Sequence, residues 1–238
     1  MKHTSYLILT FLLFWSVFSS AQSLTRGDIA FVQYNADEVD NFAFVCLTDI
    51  PAGVTIHFTD NEPINLQGGE GTISWTTSAT INCGTVVTID YNPSESTGQA
   101  SVSESNSLNF NGDGDGLWAY CGDALSPIYI SAIGNDGSVM NEINTAAEGD
   151  IIGTNLTVGI NALGLSEIDN CIYNGAVLSG SQEELRIAIN DPNNWTGSNT
   201  VTQTFTGGFT ISECSSGTTV PDTPTISSIV NGENQVSV

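Results

Sequence analysis

The stretch Asn41-Phe42-Ala43-Phe44-Val45-Cys46-Leu47 decides the fold. Successive side chains of an extended chain point to opposite faces, so Phe42, Phe44 and Cys46 share one face and Ala43, Val45 and Leu47 the other. Both faces are apolar, and a strand of that kind has to lie at the centre of a sheet with cover on both sides. Further along, Ile73-Ser74-Trp75-Thr76 alternates apolar with hydroxyl residues, as in a half-exposed strand with its tryptophan inward. Short runs of β-branched and aromatic residues recur between Gly, Asn, Asp and Pro. They predict strands at Gly27–Tyr34, Phe42–Thr48, Val54–Thr59, Ile73–Thr76, Thr85–Tyr91, Leu117–Cys121, Ile128–Ile133 and Val201–Ile211. The expected fold class is all-β, an antiparallel β-sandwich. Helical logic is confined to 181–190: Ser181 and Glu184 fit a capping box, Leu185, Ile187, Ala188 and Ile189 follow, and Asp191-Pro192 stops the helix. This short helix is expected to lie as a lid on the sandwich, with Trp195 beneath it. No element is assigned between Met140 and Leu165, a stretch rich in Gly, Asn and Thr.

The ends of the chain have a different character. Lys2 and His3 precede an apolar run from Tyr6 to Phe18 and then Ser19-Ser20-Ala21, which reads as a secretory signal peptide over residues 1–21. The run is too short to span a bilayer, and nothing later approaches the roughly 20 apolar residues that spanning requires, so membrane insertion is not expected. The folded domain is assigned to 22–214 and a flexible Ser/Gly/Thr linker to 215–223. In 224–238, an Ile-x-x-Ile pattern, a turn at Asn231-Gly232 and Gln235-Val236-Ser237-Val238 resemble the first two strands of a fibronectin type III domain. A longer, modular protein continuing past Val238 is the expectation.

Composition narrows the partners. Once the signal peptide is removed, 26 acidic residues face only Arg26 and Arg186. Nucleic acid is excluded, because binding a phosphate backbone requires clustered Lys and Arg to displace its counterions. The expected location is secreted or cell-surface. Five cysteines fall in the exported part, where oxidation permits disulfides. None belongs to a CxxC motif, and His57 is the only histidine after the signal peptide, which gives little basis for a zinc site or a Cys–His nucleophile. If the Thr85 and Leu117 strands are antiparallel neighbours, Cys83 faces Cys121. Cys171 and Cys214 bracket the helix and last hairpin and form a second candidate pair, leaving Cys46 a buried thiol.

Gly27-Asp28-Ile29-Ala30-Phe31-Val32, Asn41 to Val45, Asp49-Ile50-Pro51-Ala52-Gly53, Phe58-Thr59-Asp60-Asn61-Glu62, Gly84-Thr85-Val86-Val87 and Gly114-Asp115-Gly116-Leu117 follow one another in a familiar order. The order resembles the lamin-tail-like modules of secreted modular bacterial proteins, over most of residues 27–135. Ala188-Ile189-Asn190-Asp191-Pro192-Asn193-Asn194-Trp195 is similar to the closing part of the same exported family. Where lamin tails end a strand in a tryptophan-centred "GW", this chain has Phe58-Thr59-Asp60. The resemblance implies an immunoglobulin-like sandwich used for attachment or interaction, often beside other β-modules or an extracellular hydrolase.

Asn111-Gly112-Asp113-Gly114-Asp115-Gly116 places oxygen-bearing side chains at Asn111, Asp113 and Asp115, spaced as in the first half of an EF-hand loop, so calcium is the one cofactor to consider. A bidentate acid is missing at the twelfth position, where Gly122 stands, and a Gly/Asp-rich turn accounts for the same residues. Asp60, Glu62 and Glu70 make a second acidic group after the Phe58 strand. Paired carboxylates alone suffice for a glycosidase, yet Trp75 reads as core and Trp118 lies on a strand apolar on both faces. The function expected is a non-catalytic adhesion or interaction module with an extracellular protein or glycan ligand, and no enzyme in this chain. The alternatives are an accessory module of an extracellular hydrolase (nuclease, phosphoesterase or glycosidase), or a calcium- or carbohydrate-binding sandwich.

Overall fold

The computed structural model describes residues 24–37, 39–63, 69–90, 100–106, 108–135 and 151–214. The signal peptide, linker and fibronectin-like segment expected from the sequence lie outside these residues. In chain order the strands are β1 (Ile29–Asn35), β2 (Asn41–Cys46), β3 (Thr55–Thr59), β4 (Thr72–Thr77), β5 (Val86–Asp90), β6 (Ala100–Ser105), β7 (Gly116–Asp123), β8 (Ser126–Gly134), β9 (Ala162–Gly164), β10 (Asn170–Tyr173) and β11 (Ser179–Gly180). Helix α1 (Gln182–Ile189), a 3₁₀ turn (Pro192–Asn194), β12 (Trp195–Ser198) and β13 (Thr210–Ile211) complete them. A five-stranded sheet runs β12-β10-β1-β2-β5 and a six-stranded sheet β6-β4-β3-β7-β8-β9; β11 and β13 form a small parallel pair.

The two large sheets share one hydrophobic core, a sandwich-like arrangement. Phe31, Phe42 and Phe44 from the first sheet meet Phe58, Trp75 and Leu117 from the second. The Phe44 and Trp75 rings cross edge to face with centroids 5.4 Å apart, and Phe42 lies 4.8 Å from Phe58. Strand β2 carries the two apolar faces its sequence dictates. Phe42, Phe44 and Cys46 enter this core, while Ala43, Val45 and Leu47 join Ala30, Val32, Leu185 and Ile189 on the other side. Helix α1 therefore covers the outer face of the five-stranded sheet. Its capping box is formed: the Ser181 hydroxyl accepts from the Glu184 N–H and the Glu184 carboxylate accepts from the Ser181 N–H. The Trp195 indole donates to the last helical carbonyl, Ile189, at 2.7 Å.

In β1 the register slips between Phe31 and Gln33, so that Val32 has no opposite residue. Such a bulge turns the alternation by one residue. Tyr34 consequently faces the core with Ile29 and Phe31, while Gln33 and Asn35 face outward, buried and polar.

Gln33 and Asn35 explain why Val201–Ile211 is not the strand its alternation predicts. Asn35 donates to the Gln203 carbonyl and accepts from the Gln203 N–H, both at 2.9 Å, and Gln33 accepts from the Phe205 N–H at 2.8 Å. Two side-chain amides thus do the work of a neighbouring strand, and only Thr210–Ile211 pairs with backbone. Phe205 and Phe209 stack at 5.5 Å within the apolar cluster over the outer face.

Strand adjacency also overturns the cysteine pairing expected from sequence. β5 pairs with β2, whereas β7 lies in the opposite sheet between β3 and β8, so Cys83 does not meet Cys121. Cys83 is bonded to Cys214, with α-carbons 5.9 Å apart. Cys171 cannot pair with Cys214 because β10 points its side chain into the core. Cys121 and Cys171 join Cys46 as buried free thiols. Beside the disulfide, Gly84 has φ of +81° and its α-carbon faces the Phe209 carbonyl, 2.7 Å from where a Cβ would stand. Glycine there lets the segment around Phe209 lie against the sheet.

Candidate functional site

Asn111, Asp113 and Asp115 do not converge on one point. Asp115 is buried, and its carboxylate accepts from the Asn111 N–H at 2.9 Å and the Gly116 N–H at 2.7 Å. Its own N–H donates to Asn135 Oδ1 at 2.8 Å. The Asn111 side chain accepts from the Asp113 N–H at 3.0 Å, which is an Asx turn. Asn111 and Asp113 are exposed. The segment is a turn stapled by aspartate and asparagine ahead of β7, as Gly- and Asp-rich turns favour.

Asp113 instead borders an open polar recess of about 650 Å³, lined by Asn111, Gly112, Asp113, Glu167, Asp169 and Asn199. Sequence reading missed Glu167, Asp169 and Asn199, which sit more than fifty residues away on the connection before β10 and after β12. Only the pairing of β10 with β1 and β12 brings them here. Partial desolvation, a hydrogen bond shared with Asp169, and the charges of Asp169 and Asp113 raise the Glu167 carboxyl above its ordinary value. Among the described residues no three His, Cys, Asp or Glu side chains form a group able to hold a metal ion.

Of the second acidic group, Asp60 is buried, and Asn61 accepts from the Glu70 N–H at 3.1 Å, closing the turn between β3 and β4. Aspartates across the molecule hold backbone N–H groups in the same manner. Asp28 accepts from Thr25, Asp49 from Cys83, Asp123 from Leu125 and Asp191 from Asn193, at 2.6 to 2.9 Å. His57 hydrogen-bonds Ser74 at 2.7 Å and stacks on Tyr120 at 4.9 Å. Burial lowers its pKa from the ordinary imidazole value. Trp75 and Trp118 are fully buried, Trp118 under Ile151, Leu156 and Ala162. Trp195, half-buried, borders a groove of about 420 Å³ with Leu165, Ile168, Pro192 and Gly197. Among the described residues no helix is long and apolar enough to cross a membrane.

No protein-family model, no curated protein and no solved structure matches the chain.

Proposed function

We propose that residues 22–214 form a non-catalytic, exported interaction module with an immunoglobulin-like, lamin-tail-like sandwich, carried by a larger cell-surface or secreted protein. The observation that carries the proposal is how the acids are used. Asp28, Asp49, Asp60, Asp115 and Asp191 each spend carboxylate oxygens on backbone N–H groups, a structural employment that leaves them poorly placed to exchange protons with a substrate. The Cys83–Cys214 bond supports export, because disulfides persist in oxidising compartments. The acidic surface suits an extracellular protein or a glycan-bearing partner, and repels nucleic acid. Assays for glycosidase, phosphatase, nuclease and protease activity on the disulfide-intact module should be blank. Reproducible turnover, abolished by one carboxylate substitution, would overturn the proposal in favour of an enzyme.

A further inference from the structure

Residues Leu108–Asn111 cross the end of the sandwich as a strap. Three successive backbone N–H groups along it are each held by a different aspartate: Asn109 by Asp60 at 3.0 Å, Phe110 by Asp40 at 3.3 Å and Asn111 by Asp115 at 2.9 Å. Leu108 and Phe110 are buried in the main core, Phe110 with its ring 4.5 Å from Tyr34. Asp60 is only 5 % exposed, and its Oδ1 is buried with no hydrogen-bond partner among the described residues. The Tyr34 hydroxyl is likewise buried and unpartnered. A charged carboxylate oxygen in that position is costly, and a second carboxylate nearby adds repulsion.

We propose that the strap is a pH-sensitive latch: the Asp40–Asp60 pair holds a proton when the strap is closed, and losing it as pH rises loosens residues 108–111. Among the described residues the groups around the pair are acidic or neutral: Glu62 beyond β3, Tyr34 from β1, and Asp115 ahead of β7, whose charge, like those of Asp40 and Asp60, raises Tyr34. Burial, opposed by the Phe110 hydrogen bond and reinforced by the charge of Asp60, raises Asp40 from 3.8 to about 6. Asp60 is raised by burial, opposed by backbone hydrogen bonds from Asn109, its own N–H and Gly71, and raised more weakly by the charge of Glu62. A protonated carboxyl keeps its carbonyl oxygen as an acceptor, so the strap amides stay held while the charge disappears.

The sign follows from linkage. The closed state binds a proton below about pH 6, whereas the opened, solvated carboxyl does so only near its ordinary value. Closure is therefore fully supported at low pH and weakens as pH rises through about 6. The strap carries Asn111, at the rim of the acidic recess, so its opening changes the shape of that surface.

The test is amide hydrogen exchange of the mature chain at pH 5.0 and 7.5, together with carboxyl carbon NMR titration of Asp40 and Asp60. Protection factors at Asn109 and Phe110 should fall by about tenfold between the two pH values, the change that the displaced Asp40 permits. Asp40→Asn, which keeps an acceptor for Phe110 and removes the charge, should abolish most of that fall. Retention of the full fall in Asp40→Asn would overturn the proposal. So would titration of both carboxyls below pH 5 in the wild-type chain, a readout that stands even if the variant fails to fold.

Discussion

Removing the Cys83–Cys214 bond is the most informative single perturbation of the fold. The bond joins residues 131 positions apart. On the chain-entropy model, a loop of that length contributes about 5 kcal/mol by restricting the unfolded chain, and enthalpic effects can reduce this. The segment 201–211 that it anchors has few backbone partners of its own, because Gln203 and Phe205 are held by the side chains of Asn35 and Gln33. Loss of the bond should thus also free residues 201–211 locally and expose the Phe205–Phe209 stack. Urea unfolding of Cys83→Ser/Cys214→Ser, followed by tryptophan fluorescence, should show a loss of about 2 to 5 kcal/mol. Each single serine variant should lose as much as the double, since either one breaks the bond. Non-reducing peptide mapping provides the decisive control. A crosslink from Cys83 to Cys121 would refute the strand order, and a double variant as stable as the wild type would refute the loop-length magnitude.

Other perturbations separate the remaining roles. Asp115→Ala should destabilise the domain by about 2 to 3 kcal/mol, because it strands two backbone donors, while Asp113→Ala at the exposed turn should cost well under 1 kcal/mol. Millimolar calcium that raises the melting temperature only while Asp113 is present would reverse that ranking and restore an ion site. Ser181→Ala should cost about 1 kcal/mol through loss of the helix cap, measurable by urea titration. Burial, with lesser effects from Asp49 and Asp28 respectively, pushes the Cys46 and Cys121 thiols up to about 12, and burial raises Cys171 as well. None of the three should react with iodoacetamide at pH 8 in the native protein, and all should react in urea. Native labelling of any one would show that the core around it opens.

What sequence reading recovered depended on where the information lay. The seven strands from β1 to β5, β7 and β8 were legible because long, strongly alternating runs have to bury one face or both, and the two apolar faces of β2 placed it inside the sheet. The capping box made α1 legible for an equally local reason. By contrast, β10 and β12 are short and mixed, Asn-Cys-Ile-Tyr and Trp-Thr-Gly-Ser, and become strands only because β1 and β10 offer edges. Val201–Ile211 alternates like a strand, yet its partners are two side-chain amides that a period-two pattern does not reveal. The same gap explains the site: Asp115 and Asn111 were visible as a turn, but nothing local places Glu167 and Asp169 across from Asp113. Disulfide pairing failed for want of sheet assignment, since Cys83 precedes β5 and Cys121 lies within β7, strands that belong to opposite sheets.

The Cys83–Cys214 bond also determines how the domain would bear tension. A pull entering the chain at residue 214 passes through sulfur directly to Cys83, and residues 84–213 are left out of the load path. With the amino end held, only the chain from residue 24 to residue 83 can be drawn out, a reach of about 200 Å at roughly 3.5 Å per residue. Without the bond, the whole of residues 24–214 could be paid out, to more than three times that length. The covalent tie therefore acts as a limiter on extension, keeping helix α1, the segment 201–211 and most of the six-stranded sheet slack under a force that unravels β1, β2, β3 and β4.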